Sequence, residues 1–190
     1  MSPNRSFTPA EQFVVYALSI GALEIIPEGR ALKSGRISPY FFNSGLFNTG
    51  RRIDRLAHTY AITLDAPFGK EGEVVFGPAY KGIPLSVAVA MKWAIESGFD
   101  VEYAFNRKEA KSHGEGGIIV GASLAGKKVL LIDDVIADGG TKREAMDIVT
   151  QKDGIPIGLI IAFDRQERGK ESELSAVQEF QKNYGIPVEA

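Results

Sequence analysis

The stretch that most limits what this chain can become is Val129-Leu130-Leu131-Ile132-Asp133-Asp134-Val135-Ile136-Ala137-Asp138-Gly139-Gly140-Thr141. Its four leading apolar residues read as a short strand buried on both faces, as in a parallel sheet covered by helices. An unpartnered charge is costly to bury, so Asp133 and Asp134 are expected just past the strand's carboxyl end, facing hydroxyls, a metal or solvent. In open α/β sheets that edge is where ligands bind. Two glycines then free the backbone of Cβ atoms, and Lys142 to Lys152 reads as the following helix. Amides at such a turn and helix start form a cradle for phosphate. A dinucleotide-binding turn fits worse, because GxGxxG is absent here and two acids would repel a pyrophosphate. Taken alone, the stretch also reads as an ordinary strand-to-helix turn with a solvated acidic pair.

The order strand, acidic pair, glycine-rich turn, helix resembles the signature of type I phosphoribosyltransferases, which bind phosphoribosyl pyrophosphate. The resemblance implies that Asp133 and Asp134 face the ribose hydroxyls. It also implies that Val135, Ile136, Ala137, Asp138, Gly139, Gly140 and Thr141 hold the 5′-phosphate. One departure stands out. The family's turn commonly has threonine after the acidic pair and two apolar residues, followed by Ala-Gly-Thr; here that place is Ala137, followed by Asp138. A hydroxyl is lost and a negative charge added, so phosphate binding is expected to be retained but weakened at most.

A chain of 190 residues, 44% hydrophobic, is most simply one domain with a substantial core. The net charge of -2 gives no general pull toward nucleic acid or membrane, so an anion site must come from local clustering. With no cysteine, disulfides and thiol catalysis are excluded, which fits a reducing cytoplasm. No apolar run approaches the ~20 residues a bilayer demands, and the amino terminus shows no apolar signal core. The expectation is a soluble, cytoplasmic protein.

Thr8-Pro9-Ala10-Glu11 is a capping box with proline at the first helical position, predicting a helix from Pro9 to about Ile20. Residues 22–47 mix short apolar runs with glycine and proline, and read as strands and turns. Within them lies Lys33-Ser34-Gly35-Arg36-Ile37-Ser38-Pro39-Tyr40-Phe41-Phe42-Asn43. This block resembles the amino-terminal hood of the orotate phosphoribosyltransferase family. A planar anionic pyrimidine wants an apolar face to stack on and cations at its edge. The resemblance implies that Phe41 and Phe42 line the orotate place and that Lys33 reaches the reacting groups. Taken alone, the two aromatics read as core packing and Lys33 as a solvated lysine.

Thr49 can cap a helix from about Gly50 to Leu64, with Ile53, Leu56, Ala57, Tyr60 and Ala61 facing inward. His58 reads as a surface or packing residue. Glu73 to Phe76 is a strand running into Gly77-Pro78-Ala79-Tyr80-Lys81-Gly82-Ile83-Pro84, a second anion-holding turn before a helix from Pro84 to Ser97. The resemblance makes this the pyrophosphate loop, with Tyr80 and Lys81 in contact. Taken alone it is an ordinary βα turn.

Val101 to Phe105 is a strand. The following Asn106-Arg107-Lys108-Glu109-Ala110-Lys111-Ser112-His113-Gly114-Glu115-Gly116-Gly117 has almost nothing apolar and reads as a mobile loop, a candidate lid over an anionic substrate or simply a solvated one. In the family, the residues matching Arg107, Lys108, Lys111 and His113 reach the pyrophosphate, and the loop covers the partner subunit's site. A homodimer is therefore implied. Ile118 to Val120 and Ile155 to Phe163 are further strands, and Ser175 to Tyr184 a last helix. Arg165, past a carboxyl end, matches the arginine that holds orotate's carboxylate edge; alone it is a surface ion-pair residue. The family usually continues with a further strand and helix, which Ile186 to Val188 only begins, so a short version or an incomplete record is expected.

The expectation is therefore an α/β protein of the type I phosphoribosyltransferase fold. It would be a single domain over 1–190, with a mostly parallel sheet and a small hood from about 22–47. The implied reaction transfers the phosphoribosyl group to N1 of orotate. Catalytic roles fall to Lys111, His113, Lys33 and Asp134. Mg²⁺ is implied, held mainly by substrate oxygens and water rather than by a protein cage. Two alternatives are a transferase for a purine base and a non-catalytic regulator that senses phosphoribosyl pyrophosphate. A nucleic-acid-binding attachment is not expected, since there is no spare length or basic helix for one.

Overall fold

Helix α1, Pro9–Ser19, starts at the expected reciprocal cap. The Glu11 amide donates to the Thr8 hydroxyl at 3.2 Å, and the Thr8 amide donates to the Glu11 carboxylate at 2.9 Å. The computed structural model describes residues 6–32, 35–69, 71–111, 117–136, 140–169 and 173–190. After Gly21, whose φ of 71° suits glycine alone, strands β1 (Leu23–Ala31) and β2 (Ile37–Phe42) pair antiparallel as a separate ribbon. A 3₁₀ turn at Ser44–Leu46 then leads into α2, Gly50–Phe68, capped by the Thr49 hydroxyl. This helix passes its expected end at Leu64 because Phe68 is buried over Gly158: a Cβ there would lie 2.2 Å from the Phe68 ring.

The rest alternates strand and helix: β3 (Val74–Gly77), α3 (Gly82–Ser97), β4 (Glu102–Lys111), β5 (Gly117–Gly121), β6 (Lys128–Val135), α4 (Gly140–Gln151), β7 (Ile155–Phe163), α5 (Ala176–Tyr184) and β8 (Val188–Glu189). Six strands make one sheet in the order β5-β4-β3-β6-β7-β8, parallel throughout except where β4 meets β5. This is the expected doubly covered, mostly parallel sheet.

Strand alternation decides what each face holds. Leu130 and Ile132 of β6 pack with α1, α2, α3 and the hood ribbon. Val129 and Leu131 pack with α4 and α5 on the other face. Each of these four is at most 1% exposed. Burying one such side chain contributes roughly 1.5–3 kcal/mol, so truncating any of the four is costly.

Two expectations need correction. Asn106 to Lys111 is not loop: β4 runs through it and pairs with β5, Asn106 opposite Ile119 and Lys111 opposite Gly117. Asn106 is 1% exposed and its amide group is bonded, so a polar residue closes the core here. Asp133 and Asp134 likewise lie inside β6 rather than past it, because β6 keeps pairing with β7 as far as Val135 opposite Phe163.

Candidate active site

The carboxyl ends of β3, β6 and β7 converge on a cavity of about 450 Å³, roofed by the segment after the hood ribbon. Its wall includes Ser44, Phe47, Tyr60, Lys81, Asp134 and Ala162. Such a position and size suit a small ligand held by a few polar groups on an apolar lining.

Because side chains alternate, the two adjacent carboxylates point to opposite faces of the sheet. Asp134 faces the cavity. Its Oδ2 accepts from Lys81 Nζ at 2.6 Å and from the Ser44 hydroxyl at 2.8 Å. Burial pushes its carboxyl up, but Lys81 and Ser44 outweigh this and hold it below the usual carboxylate range. Asp133 faces α4 instead, with Oδ2 at 2.7 Å from Lys142 Nζ. Burial raises this carboxyl above its ordinary value, against the pull of Lys142 and with a smaller push from Asp134. The Tyr60 hydroxyl donates to the Asp133 backbone carbonyl at 2.6 Å, and burial beside both carboxylates pushes this phenol well up.

Lys81 is placed by a loop that leaves no spare room. A Cβ on Gly77 would come within 2.0 Å of the Gly82 carbonyl oxygen, and one on Gly82 within 2.5 Å of the Gly77 carbonyl carbon. The Gly82 amide donates to the Pro78 carbonyl at 2.9 Å, and the Ala79 amide to Asn106 Oδ1 at 2.9 Å. The Ala79–Tyr80 peptide bond is cis. The amides of Tyr80 and Lys81 have no partner among the described residues, and the side chain of Tyr80 is 72% exposed. Two open amides beside a lysine at the start of a helix can hold an anion.

The remaining sequence candidates divide. Gly140 and Thr141 begin α4 beside the end of β6. Arg165 follows β7 and is 9% exposed, its Nε 3.2 Å from Glu167 Oε1 and its backbone carbonyl accepting from the Tyr40 hydroxyl at 3.2 Å. It does not line the cavity. Phe42 is 6% exposed and packs against Phe13, Phe47 and Phe163, while the half-buried Phe41 carries the Arg30 guanidinium 4.0 Å above its ring. The two phenylalanines therefore face opposite sides of the ribbon, and neither is on the cavity wall. Arg107 and Lys108 lie along β4, Lys108 3.4 Å from Glu144 of α4. Lys33, Ala137, Asp138, Gly139 and His113 fall outside the described residues, as does the side chain of Lys111. Val135 is half-buried and Ile136 buried in the α4 face of the core.

Four residues that matter to this geometry carried no functional signal in the sequence. Ser44 hid in a segment of strands and turns, Tyr60 in an apolar stripe, Asn106 in a charged run, and Lys142 at a helix start.

Residues 45–189 match the Phosphoribosyl transferase domain family. Over 169 residues the chain is 54% identical to the orotate phosphoribosyltransferase of Hahella chejuensis, covering 88% of this chain and 77% of that one. The chain belongs to the orotate phosphoribosyltransferases. The orotate phosphoribosyltransferase of Methylococcus capsulatus is 55% identical over 159 residues, 84% of this chain and 73% of its own. The crystal structure of orotate phosphoribosyltransferase from Francisella tularensis superposes with a TM-score of 0.82 at 41% identity, covering 94% of this chain and 84% of that one. Of the alternatives left open by the sequence, a purine-base transferase and a non-catalytic regulator, these likenesses favour neither.

The donors facing the cavity bear on the implied metal. Among the described residues no group of three or more histidine, cysteine or acidic side chains could hold an ion. Asp134, with the Ser44 hydroxyl beside it, is one carboxylate. One carboxylate suits a Mg²⁺ that arrives on substrate oxygens and keeps its waters.

Proposed function

We propose that this chain transfers the phosphoribosyl group of phosphoribosyl pyrophosphate to N1 of orotate, giving orotidine 5′-monophosphate and pyrophosphate, as a step in making pyrimidine nucleotides. The observation that carries the reading is the Lys81–Asp134 pair, 2.6 Å apart at the carboxyl edge of the sheet. It sets a cation beside the two open amides of the β3–α3 loop and a carboxylate beside the space for a ribose. In the reaction the C1–O bond to pyrophosphate breaks as the bond from N1 forms, through an oxocarbenium-like state. The protein's tasks are to orient both substrates, stabilise the departing charge and keep water out.

Lys81 and the amides of Tyr80 and Lys81 would hold the pyrophosphate. Asp134 would accept from the ribose hydroxyls, and residues 135–141 would hold the 5′-phosphate. The cations of 107–113, with Lys111 and His113 foremost, would meet the leaving group, and Lys33 the reacting groups. Arg165, released from Glu167, would take the orotate carboxylate, and of the two hood phenylalanines the half-buried Phe41 would border the ring, Phe42 being packed in the core. Mg²⁺, held mainly by substrate oxygens and water, would supply positive charge to offset that of the leaving pyrophosphate, and Asp134 is the carboxylate that would face it.

A homodimer is part of the reading. Val87, Met91 and Ile95, spaced by one helical turn along α3, are 38%, 57% and 71% exposed, and Tyr103 of β4 is 41% exposed. This apolar stripe lies next to the strand that carries Arg107 and Lys108, so a second copy packed there would bring each β4–β5 segment toward the other's cavity. Sedimentation at twice the mass of one chain checks the dimer. Among the described residues no helix is long and apolar enough to cross a membrane, and we place the enzyme in the cytoplasm.

The test is the orotate absorbance on mixing with phosphoribosyl pyrophosphate and Mg²⁺. Loss of absorbance is expected, and its dependence on the metal is read in the same cuvette. Binding without loss would mark a sensor, and consumption of a purine instead would replace orotate as substrate.

A further inference from the structure

The hood ribbon is fastened to the body of the molecule along its length, and one side chain holds its outer end. At the inner end the Asn43 amide donates to the Ala22 carbonyl at 2.7 Å. In the middle, the rings of Tyr40 and Phe42 pack on that of Phe163, with centroids 5.7 Å and 5.9 Å away. The outer turn closes on itself, the Leu32 amide donating to the Arg36 carbonyl at 2.8 Å and the Gly35 amide to the Leu32 carbonyl at 2.9 Å. Among the described residues of 31–37, only Arg36 hydrogen-bonds anything outside the ribbon. Its guanidinium donates to the backbone carbonyls of Arg168 and Gly169, the latter at 3.1 Å. A two-stranded ribbon is barely stable alone, so this docking keeps its outer end from fraying.

The backbone that Arg36 grips is the one that carries Arg165. Ala162, three residues before Arg165, is on the cavity wall. Beyond it the chain bends sharply. The Gln166 amide donates to Asp164 Oδ1 at 2.8 Å, and Gln166 has a φ of 52°, a left-handed conformation that costs a residue other than glycine energy. Such a bend persists only where its surroundings impose it. From one side the hood does so, through the two bonds of Arg36 and the Tyr40 hydroxyl, which donates to the Arg165 carbonyl at 3.2 Å. From the other side the Ala176 amide, at the start of α5, donates to the Glu167 carbonyl at 2.8 Å. The side chains add little. Arg165 Nε and Glu167 Oε1 are buried 3.2 Å apart but misaligned, and neither atom has a hydrogen-bond partner among the described residues. The path of 165–169 is therefore set through its backbone, and a planar fork across two successive carbonyls sets it more tightly than a single donor can.

We infer that Arg36 is a positioning residue for orotate. By clamping the outer end of the hood to the carbonyls of Arg168 and Gly169, it joins the hood and the Arg165 segment into one unit and fixes where that arginine stands relative to the cavity. The inference rests on the function proposed above, which gives Arg165 the orotate carboxylate. Arg36 acts through that arginine and not on the substrate.

The experiment compares wild type with three variants. Arg36→Met loses both bonds, Arg36→Lys keeps the charge without the fork, and Tyr40→Phe loses the third bond alone. Kinetic constants for both substrates are measured together with hydrogen–deuterium exchange of segments 35–42 and 164–169. In Arg36→Met the KM for orotate rises by about tenfold, as for a ligand whose partner has shifted by a fraction of an ångström. The kcat and the KM for phosphoribosyl pyrophosphate stay close to wild type, and both segments exchange faster together. Arg36→Lys recovers part of each change, and Tyr40→Phe gives a smaller rise of the same kind. An unchanged KM for orotate in Arg36→Met overturns the inference. So does an equal rise in both KM values, which marks a general loosening, or faster exchange in the hood with 164–169 unmoved. If Arg36→Met does not fold, Arg36→Lys and Tyr40→Phe decide by the same criteria. If wild type consumes no orotate, the proposed reaction fails, whereas joint or separate exchange of the two segments still decides whether Arg36 couples them.

Discussion

Two lysine–carboxylate pairs, built on consecutive residues of one strand, serve opposite ends. Lys81 and Asp134 meet on the cavity side, where the lysine side chain is 59% exposed and free to exchange its partner for a ligand. Lys142 and Asp133 meet on the other face, both shut off from water. Nothing in the chemistry of the two aspartates distinguishes them. The pleat of β6 does, by turning one toward the hood and the next toward α4. An acidic pair in a sequence is thus not automatically a bidentate site.

The largest expected effect separates the pairs directly. Lys142→Met strands a buried carboxylate and costs about 3–5 kcal/mol, read as a fall in the midpoint of thermal unfolding. Lys81→Met also removes a partner from a buried carboxylate, but Asp134 keeps its bonds from the Ser44 hydroxyl and the Val135 amide, so the stability loss is smaller, about 1–3 kcal/mol, while kcat/KM falls by roughly a hundredfold or more through the lost cation at the leaving group. Equal stability losses in the two variants would erase the contrast.

The second effect is in acid. Asp134 is held below its ordinary value, so its contribution to stability is complete above about pH 4 and disappears as the pH falls through its lower folded value. Asp133 is raised, so the folded state binds the extra proton, and stability falls as the pH rises from about 4 through its higher folded value. Denaturant titrations from pH 2 to pH 7, as a rough span, will show Asp134→Asn flattening the acid loss and the Asp133→Asn, Lys142→Met double variant removing the opposing slope. The smallest effect is that of Ser44→Ala, which removes one of two bonds to Asp134 Oδ2. About 1 kcal/mol is expected, with the acid loss moved toward higher pH.

Much of the fold was legible because its signals are local. The capping box at Thr8, the apolar run of β6 and the glycine-bounded loop before α3 each declare themselves within a few residues. The site was legible only in outline, since the edge that carries it follows from the sheet, whereas the partners that fill it come from afar. Ser44 is 90 residues from Asp134 and Asn106 is 27 from Ala79, separations no period reveals. Asp133 and Asp134 were expected outside the strand because a lone buried charge is costly. The lysines that remove that cost lie on other elements. Asn106 failed for the same reason, as a charged run gave no hint that its first residue would seal a core.

The interlocked glycines of the β3–α3 loop carry an evolutionary consequence. Each occupies the volume that a methyl group on the other would need, and the obstacle at Gly77 is the carbonyl of Gly82 rather than a side chain that could be trimmed. Replacing one cannot be excused by replacing its neighbour. The two positions form a place where drift has no stepping stone, and descendants of this gene can vary the cavity's walls but not the bend that presents its lysine.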